Sequence, residues 1–278
     1  MKFTKLNFAT AGIPLSTEKP STENGIKRVH ELKLDGMELE FVHSVNVSKQ
    51  KAPEIKKIAE QENIMLTAHG SYYINLNAKE KEKITASKKR ILEAAKILNA
   101  CGGFSLTFHA GFNLGMEKKE VYENIKSQLN ELINAMNELK LNIRLSPETT
   151  GKKTQFGSLE ELISLSEEIP EINPCIDFSH LHARSNGKMN SFNEFCGVLE
   201  LMEKELGKKS LNEMHIHCSG INYGEKGEKN HLILKESDFK YKELLKALKE
   251  FNCKGQLVNE SPNIEIDAML LKKEFEKI

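Results

Sequence analysis

Short apolar, β-branched runs alternate with amphipathic stretches along the whole 278-residue chain. Eight runs read as strands: KLNFAT, GMELEFV, IMLTAHG, FSLTFHAG, NIRLSPE, NPCIDFS, NEMHIHCS and KGQLVNES, beginning near Lys5, Gly36, Ile64, Phe104, Asn142, Asn173, Asn212 and Lys254. Between them Val121, Ile125, Leu129, Leu132, Ile133, Met136 and Leu139 recur at steps of three and four, and Leu244, Leu245, Leu248 and Phe251 do likewise. Each such pattern predicts a helix with one apolar face. No Pro/Ser-rich linker interrupts the alternation, so residues 1–278 are expected to form a single domain. Eight strand–helix units over this length predict an α/β fold, a single (β/α)8 TIM barrel. A doubly wound open sheet competes, but no GxGxxG follows the first strand and Gly12 stands alone in TAGIPLS.

Composition narrows the partners. Lysine and arginine together number 40, and aspartate and glutamate also 40, so no whole-protein basic field draws in nucleic acid and any polyanion site must be local. The five cysteines, Cys101, Cys175, Cys196, Cys218 and Cys253, form no CxxC pair, which argues against a disulfide framework and a thiolate zinc site. The opening MKFTKLNFATAG lacks a signal-peptide apolar core, and nowhere do apolar residues run to the roughly 18 that suggest a membrane span. A cytoplasmic protein without membrane contact is the expectation.

In such a barrel the strand bodies are expected to hold a packed apolar core, and the chemistry to gather at the strands' C-terminal ends. The titratable residues follow that rule: His69, His109, Glu148, Asp177, His215 and Glu260 lie at the ends of the third to eighth strands, with His180 and His231 in the loops beyond. A lone strand-end histidine is usually a loop residue bonded to its surroundings, and a lone Asp or Glu is often the N-cap of the next helix. Their joint placement is what changes the weighing. Converging carboxylates repel one another and shift in pKa, and a divalent metal removes that penalty. A nitrogen and oxygen set without thiolate suits Zn2+, with Mn2+ or iron as alternatives. Around eight ligands exceed one ion's needs, so two or three ions are implied, with Glu148 bridging a pair and the cluster suited to clamping a phosphoryl group.

AHGSYYINL from Ala68, FHAG from Phe108, PETTGK from Pro147, DFSH from Asp177, MHIHCS from Met214 and NESPN from Asn259 together resemble the endonuclease IV family of apurinic/apyrimidinic endonucleases, within the xylose-isomerase-like barrels. The resemblance runs in order over most of the chain. It implies a zinc-dependent deoxyribonuclease IV-type enzyme of base excision repair, a monomer acting on damaged double-stranded DNA. Such an enzyme hydrolyses the phosphodiester 5′ to an abasic site. By motif position, His69 and His109 would hold a first metal, Glu148 would bridge it to a second completed by Asp177, His215 and Glu260, and Glu260 would also orient the attacking water. His180 and His231 would hold a third. The family's Asp-x-His element is altered here: in GEKNHL, Lys229 precedes His231 by two residues and Glu228 by three. Either Glu228 replaces the Asp by another loop path, or the third site is weak or empty. Tyr72 matches a minor-groove wedge of the family, with Asn75, His182 and Arg184 as further candidate substrate contacts. The loop VHSVNVSKQ carries neither the usual arginine nor an aromatic. His182 also reads as a support for a metal ligand, and His217 is left without a role.

The competing function is a metal-dependent sugar isomerase or epimerase of the same barrels, which needs only Glu148, Asp177, His215 and Glu260 around one metal, with the two glutamates moving protons. A phosphodiesterase cluster uses the additional His69, His109, His180 and His231. A binding barrel with a structural metal and no turnover is the third class.

Overall fold

The computed structural model describes residues 3–278. Each expected strand is present: β1 (Leu6–Ala11), β2 (Gly36–Glu40), β3 (Met65–His69), β4 (Ser105–Phe108), β5 (Arg144–Pro147), β6 (Cys175–Asp177), β7 (Met214–Cys218) and, after a hairpin, β10 (Gly255–Asn259). All pair in parallel in the order β5-β4-β3-β2-β1-β10-β7-β6. Between β5 and the three-residue β6 the wall closes only through single parallel bridges, Leu145 with Ile172 and Glu148 with Cys175. The result is the TIM barrel the alternation predicts.

Around it run α1 (Thr22–Glu31), α2 (Ala52–Glu62), α3 (Lys81–Ala100), α4 (Lys118–Glu138), α5 (Leu159–Glu168), α6 (Phe178–Arg184), α7 (Phe192–Leu206), α8 (Lys208–Asn212), α9 (Tyr241–Glu250) and α10 (Glu265–Glu276). In α4 the stripe from Val121 to Met136 is buried against the wall, whereas Leu139, which ends the periodic pattern, is exposed beyond the last turn. Ser158 and Ser191 open α5 and α7 with reciprocal capping boxes, closed by Glu161 and Glu194.

Two features depart from the sequence expectation. The first is a hairpin, β8 (Gly220–Gly224) and β9 (Gly227–Leu232), which stands over the barrel mouth after β7. The second concerns the lumen, where an apolar filling was expected. The residues facing across it are polar: Gln256 Nε2 donates to Thr67 Oγ1 at 2.8 Å from β10 to β3, and Ser105 Oγ lies 2.9 Å from His215 Nδ1, linking β4 to β7. Glu38, Thr67, Ser105, Ser146, His215 and Gln256 are all fully or almost fully buried. Their strand neighbours Leu39, Leu66, Leu106, Leu145, Ile216 and Leu257 turn the other way and form the core between wall and helices, as the two-residue strand period requires. A buried polar lumen is tolerable where its groups find partners across the barrel, as Gln256 Nε2, Thr67, Ser105, Ser146 and His215 do; Gln256 Oε1 and the Glu38 oxygens lack one among the described residues.

Candidate metal centre

Glu148 lies at the centre of the strand ends. Its Oε2 is 3.2 Å from His69 Nε2 at the end of β3 and 3.3 Å from His109 Nε2 just past β4. Its Oε1 is 3.2 Å from His217 Nδ1 on β7 and 3.3 Å from His180 Nδ1 on α6. Ligand atoms of His69, His109 and Glu148 converge, as do those of Glu148, Asp177, His217 and Glu260, and those of His180, Glu228 and His231. Glu148 therefore belongs to two neighbouring groups, and His180 connects the third.

The histidines are aimed by backbone carbonyls. His69 Nδ1 lies 2.8 Å from the Gly70 carbonyl, His180 Nδ1 2.9 Å from that of Thr149 and His231 Nδ1 3.2 Å from that of Glu260. A ring nitrogen at that distance from a carbonyl must carry the proton, which leaves Nε2 of each ring to face the site. Asp177 divides its oxygens: Oδ1 accepts from His180 N at 2.7 Å and caps α6, so the ordinary capping role is real. Its buried Oδ2, like Glu260 Oε2 and Glu40 Oε1, has no hydrogen-bond partner. Free Nε2 atoms and unpartnered buried carboxylate oxygens converging on common points fit divalent cations.

The electrostatics agree. Burial and the neighbouring Glu260 and Glu148 push Asp177 up to about 6, against the pull of His180. Burial, Glu38 and Glu260 lift Glu40 to about 8. Burial opposes charging His69, but the Glu148 carboxylate, with Glu40 and Glu260 beyond it, lifts it to about 10. Desolvation also works against ionised Glu148, yet His217 and His109 hold it well below the carboxylate range. Protons on these rings occupy the positions in which a cation would offset the same carboxylates.

The placement differs from the sequence expectation at several residues. His215 does not join Asp177 and Glu260; His217 does. Both rings face the lumen, but register decides the layer: His217 lies opposite Asp177 of β6 at the mouth, and His215 opposite Cys175 one layer down. MHIHCS carries both histidines, and only the pairing distinguishes them. His182 is buried beneath the hairpin, its Nε2 3.1 Å from Asp238 Oδ1 and its Nδ1 3.1 Å from the Met189 carbonyl, so both ring nitrogens are already engaged. Tyr223 of β8 donates to Asp238 Oδ2 at 2.7 Å and packs edge-on to His182, which ties the hairpin down. Arg184 is likewise spent: its guanidinium donates to the carbonyls of Thr150, Lys152 and Gln155 and braces the loop after β5. Asn75 Oδ1 accepts from Asn77 N at 3.1 Å and holds its own loop. Tyr72 is exposed at the rim, with its hydroxyl 2.7 Å from His43 Nδ1, so the loop after β2 does supply a ring beside it. Glu38 and Glu40 were missed, because in GMELEFV they read as the polar phase of a half-buried strand.

The altered GEKNHL element has a structural explanation. Ile221 pairs with His231 and Asn222 with Asn230, but Tyr223 pairs with Glu228, so Lys229 is an inserted bulge residue. Ile221 and Tyr223 share one face of the ribbon, and their partners His231 and Glu228 therefore share it too. Glu228 Oε2 comes within 3.6 Å of His180 Nε2 and Oε1 within 3.9 Å of His231 Nε2. Two glycines allow the hairpin to close on the loop after β5. A Cβ at Gly151 would meet Glu228 Cβ at 2.6 Å, and one at Gly227, where φ is +93°, would meet the Gly151 carbonyl at 2.1 Å.

The structure is a TIM barrel with three linked His/carboxylate groups, a candidate metal centre, at the C-terminal ends of its strands. The chain belongs to the xylose isomerase-like TIM barrel family, whose model matches residues 26–277. It is 45% identical over 98% of its length to an uncharacterized protein of Methanocaldococcus jannaschii, of which it covers 98%. It is 27% identical over 82% of its length to apurinic-apyrimidinic endonuclease 1 of Plasmodium berghei, and spans 45% of that longer chain. Among solved structures, a D-tagatose 3-epimerase-like protein superposes with a TM-score of 0.75 at 15% identity, over 99% of this chain and 97% of the other. Endonuclease IV of Thermus thermophilus gives 0.74 at 15% identity, over 99% and 100%. These superpositions share the fold with the chain and do not separate the two chemistries. No helix among the described residues is long and apolar enough to cross a membrane.

Proposed function

We propose that the chain is a metal-dependent phosphodiesterase of the endonuclease IV type, acting on abasic sites in double-stranded DNA in base excision repair. The observation that carries this reading is the contact of Glu148 with both His69 and His109 beside the Asp177–His217–Glu260 group. A single-metal epimerase has no use for those two histidines, nor for His180, Glu228 and His231. The sequence likeness to the Plasmodium endonuclease supports the same choice.

His69 and His109 would hold a first ion, Glu148 would bridge it to a second held by Asp177, His217 and Glu260, and His180, Glu228 and His231 would hold a third. Zn2+ suits this donor set, with Mn2+ as the alternative. Bound there, such ions would polarise a phosphoryl oxygen and compensate charge in an in-line displacement. The protein's own contribution is positional and protolytic. Glu260 has one buried oxygen free of partners and, held ionised by His217 and His231 to about 2 despite burial, can accept a proton from a water beside the scissile bond. Carbonyl-anchored rings keep the ligands rigid. Tyr72 and Tyr73 offer exposed ring faces at the rim, where an unstacked base can rest. Lys49, Lys153, Lys188, Lys226 and Lys229 are exposed on the surrounding loops and can neutralise phosphates locally, in keeping with the neutral total charge.

The test is cleavage of a duplex oligonucleotide carrying one tetrahydrofuran abasic analogue, with metal content measured on the same preparation. Incision 5′ to the analogue by protein carrying two or three ions per chain is the expected result. One readily exchanged ion, no incision, and turnover of a ketohexose would instead establish the epimerase.

A further inference from the structure

Beneath the strand-end cluster lies a buried carboxylate with no place in the mechanism above. Glu38 of β2 is fully buried within the lumen, with Oε1 2.9 Å from His217 Nε2 and Oε2 2.8 Å from His215 Nε2. These are ion-pair approaches: among the described residues neither oxygen has a partner in full hydrogen-bond geometry. The two Nε2 atoms are 3.3 Å apart, within reach of one N–H···N contact, and the Glu38 carboxylate lies beside both. The rest of the chain of contacts has a single consistent direction: Ser146 Oγ is 2.8 Å from Ser105 Oγ, and Ser105 Oγ is 2.9 Å from His215 Nδ1. If His215 carries its proton on Nε2, Nδ1 accepts from Ser105, Ser105 accepts from Ser146, and this chain of contacts ends at Glu38.

We infer that Glu38 is a positioning residue for His217: it holds the Nε2 proton of that ring and so fixes Nδ1 toward Glu148, Asp177 and Glu260. His69, His180 and His231 are oriented by backbone carbonyls at strand ends and in loops. His217 lies within β7, where its neighbouring carbonyls belong to the sheet ladder, so a side chain from across the lumen takes over the task. His215 occupies the carboxylate's second oxygen and prevents it from turning away. The inference rests on the proposed metal reading only for its second measurement below.

In 15N-labelled protein stripped of metal, His217 should show an Nε2-bound proton that exchanges slowly with solvent, and this signal should persist after Zn2+ is restored. E38Q keeps the volume but presents one acceptor and two donors to a pair of N–H groups. It should lose or expose the His217 signal and weaken Zn2+ binding in a chelator competition by about 10- to 100-fold. Three results would each overturn the assignment: His217 protonated on Nδ1 alone, Nε2 taken by a metal one layer down, where ligand atoms of Cys175, His215 and His217 also converge, or unchanged Zn2+ affinity in E38Q. Should E38Q fail to fold, the wild-type spectra still decide. Absence of incision on abasic DNA with the Nε2 proton present would sink the nuclease reading and leave Glu38 standing. Incision without that proton would do the reverse.

Discussion

Glu228 and His231 are separated by three residues in the chain yet share one face of the β8–β9 ribbon, because Lys229 bulges out between them. A regular strand would put Glu228 on the opposite face, and the spacing of GEKNHL would then leave the third group with histidines alone. The bulge brings the two candidate ligands of an irregular sequence element onto one face.

Deletion of Lys229 should therefore be tolerated, because it leaves Glu228 and His231 two positions apart on one face of a regular strand. E228A is expected to lower bound Zn2+ by one ion per chain, while the one-residue deletion and K229A, whose side chain is exposed, should both leave the count unchanged. Metal analysis on protein loaded with Zn2+ and desalted measures this directly. A full complement of ions in E228A would show that Glu228 is no ligand.

The two histidines of β7 should separate cleanly. H217A removes a group at the mouth and is expected to abolish binding of the ion held with Asp177 and Glu260. H215A removes a ring one layer down; its main cost should be stability, about 2–4 kcal/mol as for other large-to-small changes in a packed interior. Chemical denaturation and metal titration of both variants distinguish the effects, and equal metal loss in both would contradict the register argument.

Glu260→Gln preserves shape and removes the charge. Incision of the tetrahydrofuran duplex should fall about 10²- to 10⁴-fold in kcat, in the range for a lost general base, with little change in KM. Unchanged turnover would remove Glu260 from proton transfer.

Glu40 predicts a pH dependence in chelator-treated protein. Its carboxyl is raised to about 8 by burial, Glu38 and Glu260, so between its ordinary value near 4.5 and about 8 the folded state binds more protons than the unfolded one. Stability should then fall as pH rises through that window. Asp177, raised to about 6 by burial and neighbouring carboxylates, acts in the same direction over the lower part of it. E40Q should flatten the profile and raise the melting temperature at pH 8. A profile as steep as that of the wild type would place Glu40 in a less confined setting.

Much of this protein is legible from local pattern alone. Strand and helix periodicity specifies the barrel, because burying one face of each element leaves few ways to arrange eight β/α units. Strand-end positions of His69, His109, Glu148, Asp177 and Glu260 follow from that architecture, since each lies where its own apolar run stops. Other features depend on neighbours that sequence adjacency does not reveal. Whether His215 or His217 reaches the mouth is set by hydrogen-bond register with β6 and β10. Arg184 and His182 carry the residue types of substrate contacts, but α6 turns them toward the loop after β5 and the hairpin, where oxygens already await them. The polar lumen and Glu38 were hidden for the same reason: alternation shows that a strand has two faces, and only closure of the sheet decides that the polar one lies inside.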